Sequence, residues 1–225
     1  MLTLEKKRKA LIRLVDDDET VLRALRTFLE IDDWRVKTFQ SGEAFLESDF
    51  SEPGCVVLDV RMPGLSGIEV HSELIRRNVR LPVIFLSAHG DIEMAVDAVH
   101  RGARTFLVKP PEPEKLLNVI ENAVESDFEE RRLADWARDL EASWAKLTPA
   151  EQQVAQMAAK GLTTAVIAEA LGVGERTVKA HRAASLEKLD LANAVELSDF
   201  CHELQSAREK FPAETGPEDG KRLQS

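Results

Sequence analysis

Several apolar runs in the first half of the chain end on side chains that can do chemistry. In chain order these are Asp16, Asp17 and Asp18, then Asp59, Ser87 and Lys109. Neighbouring carboxylates repel one another unless a cation neutralises them, and carboxylate oxygens with open positions suit Mg²⁺. A carboxylate can also attack phosphorus to form an acyl phosphate, while a metal ion and a lysine offset the charge on the phosphoryl oxygens. We therefore predict a phosphoryl site with Mg²⁺, in which Asp59 is best placed to be the nucleophile.

Five βα units must bring these side chains together. Between Ala10 and about Glu125, short β-branched runs alternate with amphipathic stretches, as in a doubly wound parallel sheet covered on both faces. The predicted strands are Leu11 to Val15, Val36 to Phe39, Val56 to Asp59, Val83 to Ser87 and Thr105 to Val108. The predicted helices are Thr20 to Ile31, Glu43 to Glu47, Ile68 to Arg77, Ile92 to Arg101 and one from Glu114 onward. Ligands of such sheets bind beyond the carboxyl ends of the strands, where the reactive side chains fall.

Each of these side chains has a simpler interpretation when it is taken alone. An aspartate after a strand often caps the next helix, and we favour this interpretation for Asp18. A lone Asp59 or Ser87 would be a turn residue, and a lone Lys109 a solvated charge. The joint pattern, rather than any single residue, supports the phosphoryl site.

The same segments resemble the receiver domain of two-component response regulators. They read Val15-Asp16-Asp17-Asp18-Glu19, Leu58-Asp59-Val60-Arg61-Met62-Pro63-Gly64, Ser87-Ala88-His89-Gly90 and Val108-Lys109-Pro110, and the likeness extends from about Ala10 to Glu125. The resemblance implies a flavodoxin-like fold in which Asp59 accepts phosphate from the phosphohistidine of a sensor histidine kinase. It also implies that Mg²⁺ is held by Asp16, Asp17, Asp59 and the backbone carbonyl of Arg61.

The resemblance assigns roles to further residues. Ser87 would hydrogen-bond the phosphoryl group, and Lys109 would pair with it. Phe106 matches the family's switch aromatic, which turns inward as the Ser87 loop closes and reshapes the face around the fourth helix and fifth strand. Plain strand core is an equally good interpretation of Phe106 from sequence alone. Receivers commonly carry a cis peptide bond before the proline that matches Pro110.

A helical linker is predicted after Val124. Apolar residues recur there at spacings of three to five, as on one face of a helix: Phe128, Leu133, Trp136, Leu140, Trp144 and Leu147. Thr148 can cap the next helix, with Pro149 at its first position and Glu151 completing a capping box. A domain boundary at Leu147 follows.

The last part of the chain reads as four short helices, two of which form a helix-turn-helix. These two are Thr164 to Leu171 and Glu175 to Leu189, joined by Gly172-Val173-Gly174. Candidate donors to phosphates and base edges on the second helix are Arg176, Thr177, Lys179, His181 and Arg182. From Gly174 to Leu189 the basic residues, which include Lys188, outnumber the acidic ones by two, so a small basic patch is predicted. The alternative for these donors is an ordinary solvated helix face.

This region is similar to the LuxR-type domain of NarL/FixJ response regulators. The similarity rests on Leu147-Thr148-Pro149-Ala150-Glu151, Gly161-Leu162-Thr163, Ile167 to Val173 and Arg176-Thr177-Val178-Lys179-Ala180-His181, and it covers about Leu147 to Leu204. It implies a four-helix domain that binds DNA as a dimer, with Lys179, His181 and Arg182 in the major groove. Family members usually have lysine where Ala165 stands and serine where Gly174 stands, so modest DNA affinity is expected.

Composition limits the remaining possibilities. The 225 residues carry a formal net charge of −10, so any DNA binding must rest on a local patch. No apolar run approaches a bilayer span and no secretory leader is visible, so we expect a cytoplasmic protein without membrane contact. Cys55 and Cys201 form no disulfide framework or metal cluster. The expected organisation is an extension (1–9), a receiver (10–125), a helical linker (126–146), an all-α helix-turn-helix domain (147–206) and a flexible tail (207–225).

The expected function is phosphorylation-activated control of transcription. Phosphorylated Asp59 would promote dimerisation through the receiver's switch face and binding to promoter DNA, where RNA polymerase is a further expected partner. The linker's apolar stripe either pairs with a second chain or packs against its own domains. The chain is not expected to be a dedicated enzyme, because a phosphohydrolase with an aspartyl-phosphate intermediate needs a second acid where Arg61 stands. A phosphate-independent regulator that acts through protein contacts is the other alternative.

Overall fold

The computed structural model describes residues 2–88 and 105–212. The chain divides into two compact units, Met1–Arg131 and Arg132–Ser225. The predicted helix from Ile92 to Arg101, the His89-Gly90 end of the Ser87 motif and the tail from residue 213 onward lie outside the described residues. Element labels below count only what is described.

The first unit holds a five-stranded sheet in the order β2-β1-β3-β4-β5, with every neighbouring pair parallel. Its elements are α1 (Leu4–Lys9), β1 (Leu11–Val15), α2 (Glu19–Ile31), β2 (Arg35–Phe39), α3 (Gly42–Leu46), β3 (Gly54–Asp59), α4 (Gly67–Arg76), β4 (Val83–Ser87) and β5 (Thr105–Val108). This confirms the predicted doubly wound fold. The sequence missed the true start of β3, because Gly54 and Cys55 lack the β-branched side chains used to find it.

Two apolar layers cover the sheet, one on each face. Leu22 and Leu29 of α2 pack on one face with Ile120 of the long helix that follows β5. Phe45 of α3 and Val70 of α4 pack on the other face. Strands β1, β3 and β4 are buried along their whole length, which is why they read as continuous apolar runs rather than as alternating ones.

The N-terminal extension expected over residues 1–9 contains a short helix, α1. Lys7 holds it in place, since its Nζ lies 2.7 Å from an Asp32 oxygen and 3.4 Å from a Glu121 oxygen, and 5.0 Å from the Trp34 ring centroid. Lys6 adds an ion pair of 2.6 Å with Glu125. Ion pairs of Lys6 and Lys7 therefore dock α1 on the rest of the first unit.

Helix α5 (Pro113–Trp144) runs for 32 residues, which corresponds to about 48 Å. It includes both the last predicted receiver helix and the predicted linker, and the division between the units falls inside it. Leu140 and Trp144 are 8% and 4% exposed and belong to the core of the second unit. For these two side chains the alternative in which the apolar stripe packs against its own domain therefore holds.

The second unit completes its core with four helices after α5. They are α6 (Pro149–Ala159), α7 (Thr164–Leu171), α8 (Glu175–Leu189) and α9 (Ala194–Lys210). The predicted capping box at the start of α6 is present between Thr148 and Glu151. Helix α9 extends four residues beyond the expected limit at 206, because Ala207 packs into the core. Among the described residues, no helix is both long and apolar enough to cross a membrane.

Candidate functional site

The carboxyl ends of β1 and β3 bring three aspartates together. Val15 and Leu58 are partners in the parallel register, so Asp16 and Asp59 follow at the same edge of the sheet. Asp16, Asp17 and Asp59 each place a carboxylate oxygen within 4.8 Å of the others. Asp16 and Asp59 are 2% and 6% exposed, whereas Asp17 is exposed to solvent. The acidic group predicted from sequence therefore forms, with one side open.

Lys109 connects two members of this group. Its Nζ lies 2.6 Å from Asp16 Oδ2 and 2.9 Å from Asp59 Oδ1. The backbone N–H of Lys109 donates to the carbonyl of Ser87 at 2.8 Å, which fixes the start of the loop after β5. The peptide bond between Lys109 and Pro110 is cis, as the resemblance implied.

Burial shifts the pKa values of Asp59 and Lys109. Burial raises the pKa of the Asp59 carboxyl; the hydrogen bond and charge of Lys109 oppose this shift, while Asp16 and Asp17 add to it. Burial alone would lower the pKa of Lys109, but its bonds to Asp16 and Asp59 outweigh that effect and raise it. An ammonium is thus held charged beside a carboxylate whose ionisation is costly. Additional positive charge at this site would favour the ionised Asp59.

Asp18 has the structural role favoured from its sequence context. Its side chain accepts from the Thr20 N–H at 2.8 Å and caps α2. The Asp18 N–H in turn donates to Asp16 Oδ1 at 3.0 Å, which orients the Asp16 carboxylate. The three consecutive aspartates therefore divide between the acidic group and a helix cap.

The loop after Asp59 leads from β3 into α4 and contains Arg61. Its first residue, Val60, donates to the carbonyl of Leu86 and accepts from the Gly67 N–H, both at 3.0 Å. Gly67 packs so closely that a Cβ atom there would lie 2.1 Å from the Asp59 carbonyl oxygen. Sequence analysis did not single out Gly67. Its position at the helix start after the Pro63-Gly64 turn was the available signal.

Ser87 and Phe106 lie on adjacent strands, as predicted. Ser87 is buried at the end of β4, and its Oγ donates to the carbonyl of Ala88 at 3.1 Å. Phe106 pairs in register with Phe85 and is half-buried against the α3–α4 side of the sheet. Both residues are near the strand ends that carry Asp59 and Lys109.

Helix α8 presents most of its predicted DNA-binding residues to solvent. Arg176, Thr177 and Lys179 are exposed, and His181 is half-buried. Arg182 is also half-buried, and its Nη1 donates to Thr164 Oγ1 of α7 at 3.4 Å. Helix α8 begins after Gly174, its N-cap residue, which provides no side-chain cap. The exposed face is therefore available to a ligand, while Arg182 also links the two helices of the helix-turn-helix.

Lys188, which the sequence counted in the basic patch, has a different role. Its Nζ lies 2.7 Å and 3.0 Å from the two carboxylate oxygens of Glu151 in α6. Together with the Thr148 backbone N–H, this bond lowers the pKa of Glu151 to about 2. The periodicity of α8 could not reveal this pairing, because the partner lies 37 residues away. The basic surface of α8 is smaller than the sequence predicted.

Comparisons with known proteins divide the chain in the same way. Residues 12–121 match the response regulator receiver domain family, and residues 145–201 match the family of bacterial regulatory proteins described as luxR. Response regulator protein TmoT of Ectopseudomonas mendocina is 38% identical over 191 residues, covering 84% of this chain and 86% of that protein. Nodulation protein W of Bradyrhizobium diazoefficiens is 36% identical over 199 residues, covering 87% and 88%.

Solved structures give the same result. The response regulator StyR is 38% identical with a TM-score of 0.78, over 87% of this chain and 99% of that chain. Full-length FixJ from B. japonicum is 32% identical with a TM-score of 0.54, over 88% and 98%. A receiver domain implies a histidine kinase partner, and a LuxR-type domain implies DNA binding. The chain belongs to the two-component response regulators and combines a receiver domain with a LuxR-type DNA-binding domain.

Proposed function

We propose that phosphorylation of Asp59 by a sensor histidine kinase switches this protein as a transcriptional regulator. The observation that carries the proposal is the contact of Lys109 Nζ with both Asp16 and Asp59, at 2.6 and 2.9 Å, beside a third carboxylate. A lysine so placed can pair with a phosphoryl group added to Asp59. The buried carboxylate supplies the nucleophile, and the solvent-facing side at Asp17 gives the phosphodonor access.

The residues present fit a magnesium ion. Asp16, Asp17 and Asp59 would hold it with the backbone carbonyl of Arg61, a set of hard oxygen donors of the kind that Mg²⁺ prefers. When bound, the ion would supply positive charge that offsets the carboxylates and the incoming phosphoryl oxygens. Asp18 supports the site from outside the set, through the bond that orients Asp16.

Ser87 and Phe106 would couple phosphorylation of Asp59 to a conformational change at the surface of the receiver. The Ser87 hydroxyl would leave Ala88 and hydrogen-bond the phosphoryl group. The half-buried Phe106 ring would then turn further inward, reshaping the face around β5. Phosphorylation would thereby bias an existing equilibrium toward a form that dimerises through this face.

A dimer would present two copies of α8 to promoter DNA. Arg176, Thr177, Lys179, His181 and Arg182 would contact phosphates and base edges in the major groove. Two-fold symmetry predicts half-sites spaced by about one helical turn of DNA. We place the protein in the cytoplasm, where RNA polymerase would be its further partner, and assign it no dedicated enzymatic role beyond its own phosphorylation and dephosphorylation. The proposed domain limits are those predicted from sequence, except that the helix-turn-helix domain extends to Lys210.

The test is a selection of binding sites from genomic fragments of the source organism. Wild-type protein and Asp59→Asn would each be treated with a small-molecule phosphodonor and Mg²⁺, and intact mass would report phosphorylation. Enrichment of a two-fold-symmetric site by the wild type alone is the expected result. Failure of a folded, demonstrably phosphorylated protein to enrich any site would overturn the proposal.

One observation favours a second candidate function. The pairing of Lys188 with Glu151 leaves α8 with a small basic surface, in a chain whose formal net charge is −10. A regulator that acts mainly through protein contacts, without phosphate, would have this property. Specific binding to a partner protein that is equal for wild type and Asp59→Asn, with no DNA site enriched, would favour this candidate.

A further inference from the structure

Helix α3 contacts the loop that joins Asp59 to α4, and the contact is made by a charged side chain. Glu43 Oε1 accepts a hydrogen bond of 3.0 Å from the backbone N–H of Leu65. We propose that Glu43 is a positioning residue for the magnesium site, which sets the conformation of the loop that carries the Arg61 carbonyl. This inference rests on the proposed function, because it concerns the metal site through which Asp59 would be phosphorylated.

The carboxylate of Glu43 is itself held in place. Helix α3 begins after Ser41, whose hydroxyl accepts from the Ala44 N–H at 3.2 Å. The backbone N–H groups of Glu43 itself and of Leu65 keep the pKa of the Glu43 carboxyl below its usual value. The side chain is therefore a charged acceptor at neutral pH, and hydrogen bonds to charged acceptors are stronger than those between neutral groups.

The loop from Val60 to Ser66 is anchored at both ends independently of Glu43. Val60 is bound to Leu86 and Gly67 through backbone hydrogen bonds of 3.0 Å. Ser66 caps α4 in a reciprocal box with Glu69. Glu43 therefore acts inside the loop, at Leu65, which lies four residues after Arg61 and directly before the Ser66 cap. Its loss would leave the strand end and the helix start in place and free the segment between them.

Two glycines show how closely α3 and this loop fit together. Gly64 has a φ of +75°, and a Cβ atom there would lie 2.5 Å from Glu43 Oε1. Gly42, the first residue of α3, would place a Cβ atom 3.2 Å from the Leu65 carbonyl oxygen and 2.4 Å from Val70. The positive φ of Gly64 favours glycine, and at Gly42 an added Cβ atom would collide with Val70. The loop is thus packed against α3 in one conformation, and the Glu43 bond selects that conformation.

The experiment compares Glu43→Ala with Glu43→Gln in the full-length protein. Glutamine keeps a side-chain oxygen that can accept from the Leu65 N–H, but it carries no charge. The comparison therefore separates loss of the hydrogen bond from loss of long-range attraction between Glu43 and Mg²⁺. Glu47→Ala, the matched control, removes an exposed carboxylate at the C-terminal end of α3. The first readout is hydrogen exchange of the peptide that contains Leu65, measured without Mg²⁺. The second is Mg²⁺ affinity by calorimetric titration of the metal alone.

We expect Glu43→Ala to exchange faster at Leu65 and to bind Mg²⁺ about tenfold more weakly, since one charge-assisted hydrogen bond is lost. Glu47→Ala should stay within about twofold of the wild type in both readouts, because it removes no bond to the loop. Glu43→Gln, which keeps the acceptor without its charge, should fall between the wild type and Glu43→Ala. Equal Mg²⁺ affinity of Glu43→Ala and wild type would overturn the inference, as would equal weakening by Ala and Gln. If the wild type itself bound no Mg²⁺ and accepted no phosphate, the proposed function would fail instead.

Discussion

The carboxylate of Asp127, on α5, accepts a hydrogen bond of 2.8 Å from the backbone N–H of Gly54, the first residue of β3. Asp127 is 1% exposed and also accepts from Arg131 Nε at 2.8 Å. Arg131 in turn donates to the carbonyls of Phe50, Ser51 and Glu52, in the loop before β3. Strand β3 is therefore tied to α5 at one end and carries Asp59 at the other. This buried polar contact adds to the apolar packing of Ile120 in attaching α5 to the receiver.

Asp127→Ala should destabilise the first unit by about 3 kcal/mol, because removing one member of a buried pair leaves its partners unsatisfied. Pulsed hydrogen exchange of β3 peptides in urea would resolve this unit from the second one. Asp135→Ala, which breaks an exposed ion pair with Arg138 on the same helix, is the control and should cause no measurable shift. If the urea midpoint of β3 unfolding were the same in Asp127→Ala and in the control, this attachment would not stabilise β3.

Leu140→Glu should unfold the second unit rather than change its self-association. A charged side chain placed in that core should cost about 3 kcal/mol or more. Ala142→Glu adds the same side chain at an exposed position of α5 and should be tolerated. Thermal unfolding of the two variants, compared with the wild type, is the measurement. Equal melting temperatures for both variants would contradict the buried position of Leu140.

Glu151→Gln should lower stability in a pH-dependent way. The folded-state pKa of Glu151, about 2, lies below that of an unfolded-state carboxyl, so its pairing with Lys188 stabilises the fold once the carboxyl is ionised. The difference in melting temperature between wild type and Glu151→Gln should be full above about pH 5 and shrink as the pH falls toward about 2. Glu203→Gln, at an exposed position of α9, should show no such trend. A difference that grows on acidification would be inconsistent with the pairing.

Gly67→Ala should impair phosphorylation of Asp59, because the added methyl group would collide with the Asp59 backbone. Overpacking of this kind costs about 2 kcal/mol, and misplacement of the acceptor should slow its modification by about tenfold or more. Intact-mass measurement of phosphodonor labelling over time is the test. Gly174→Ala, where the added group would meet nothing within 4 Å, is the control. Unchanged labelling of Gly67→Ala would show that β3 absorbs the collision without moving Asp59.

Lys179→Ala and Lys188→Ala should differ in their effect on DNA binding. Lys179 is exposed on α8, so its loss should reduce the slope of log affinity against log salt by about one. Lys188 is paired with Glu151, so its loss should lower stability and leave the slope unchanged. Binding to one selected duplex over a range of salt concentrations provides both slopes. Equal reductions would mean that Lys188 leaves Glu151 to contact a phosphate.

The parts of this protein that could be predicted from sequence are those determined by local pattern. Alternating strand and helix periods gave the sheet, and the reactive residues at the strand ends gave the acidic group with Asp16, Asp59 and Lys109. Contacts distant in sequence could not be read in this way. Lys188 looked like a free charge on a helix face, and Asp127 lay in an acidic stretch of the predicted linker with nothing to mark its partner, Gly54.

The middle of β1 illustrates the same limit. Arg13 is fully buried in the middle of an apolar strand, which no hydropathy pattern would suggest. Its guanidinium donates to the carbonyls of Leu11, Asp49 and Glu52, at 3.2 to 3.3 Å. Backbone carbonyls accept from both terminal nitrogens of the guanidinium, two of them in a neighbouring loop, while Nε has no hydrogen-bond partner among the described residues. The position of that loop depends on the whole fold rather than on residues near Arg13. Only the assembled structure shows why an arginine is tolerated there.

The continuity of α5 has a practical consequence for hybrid regulators built by exchanging domains between relatives. The sequence predicted a domain boundary at Leu147. A junction there would separate the DNA-binding domain from Leu140 and Trp144, so that residues of the other protein would take their place in its core. A junction just after Arg131 keeps each core with its own unit. Chimeras cut at the apparent domain boundary should misfold, whereas those cut within the helix should fold.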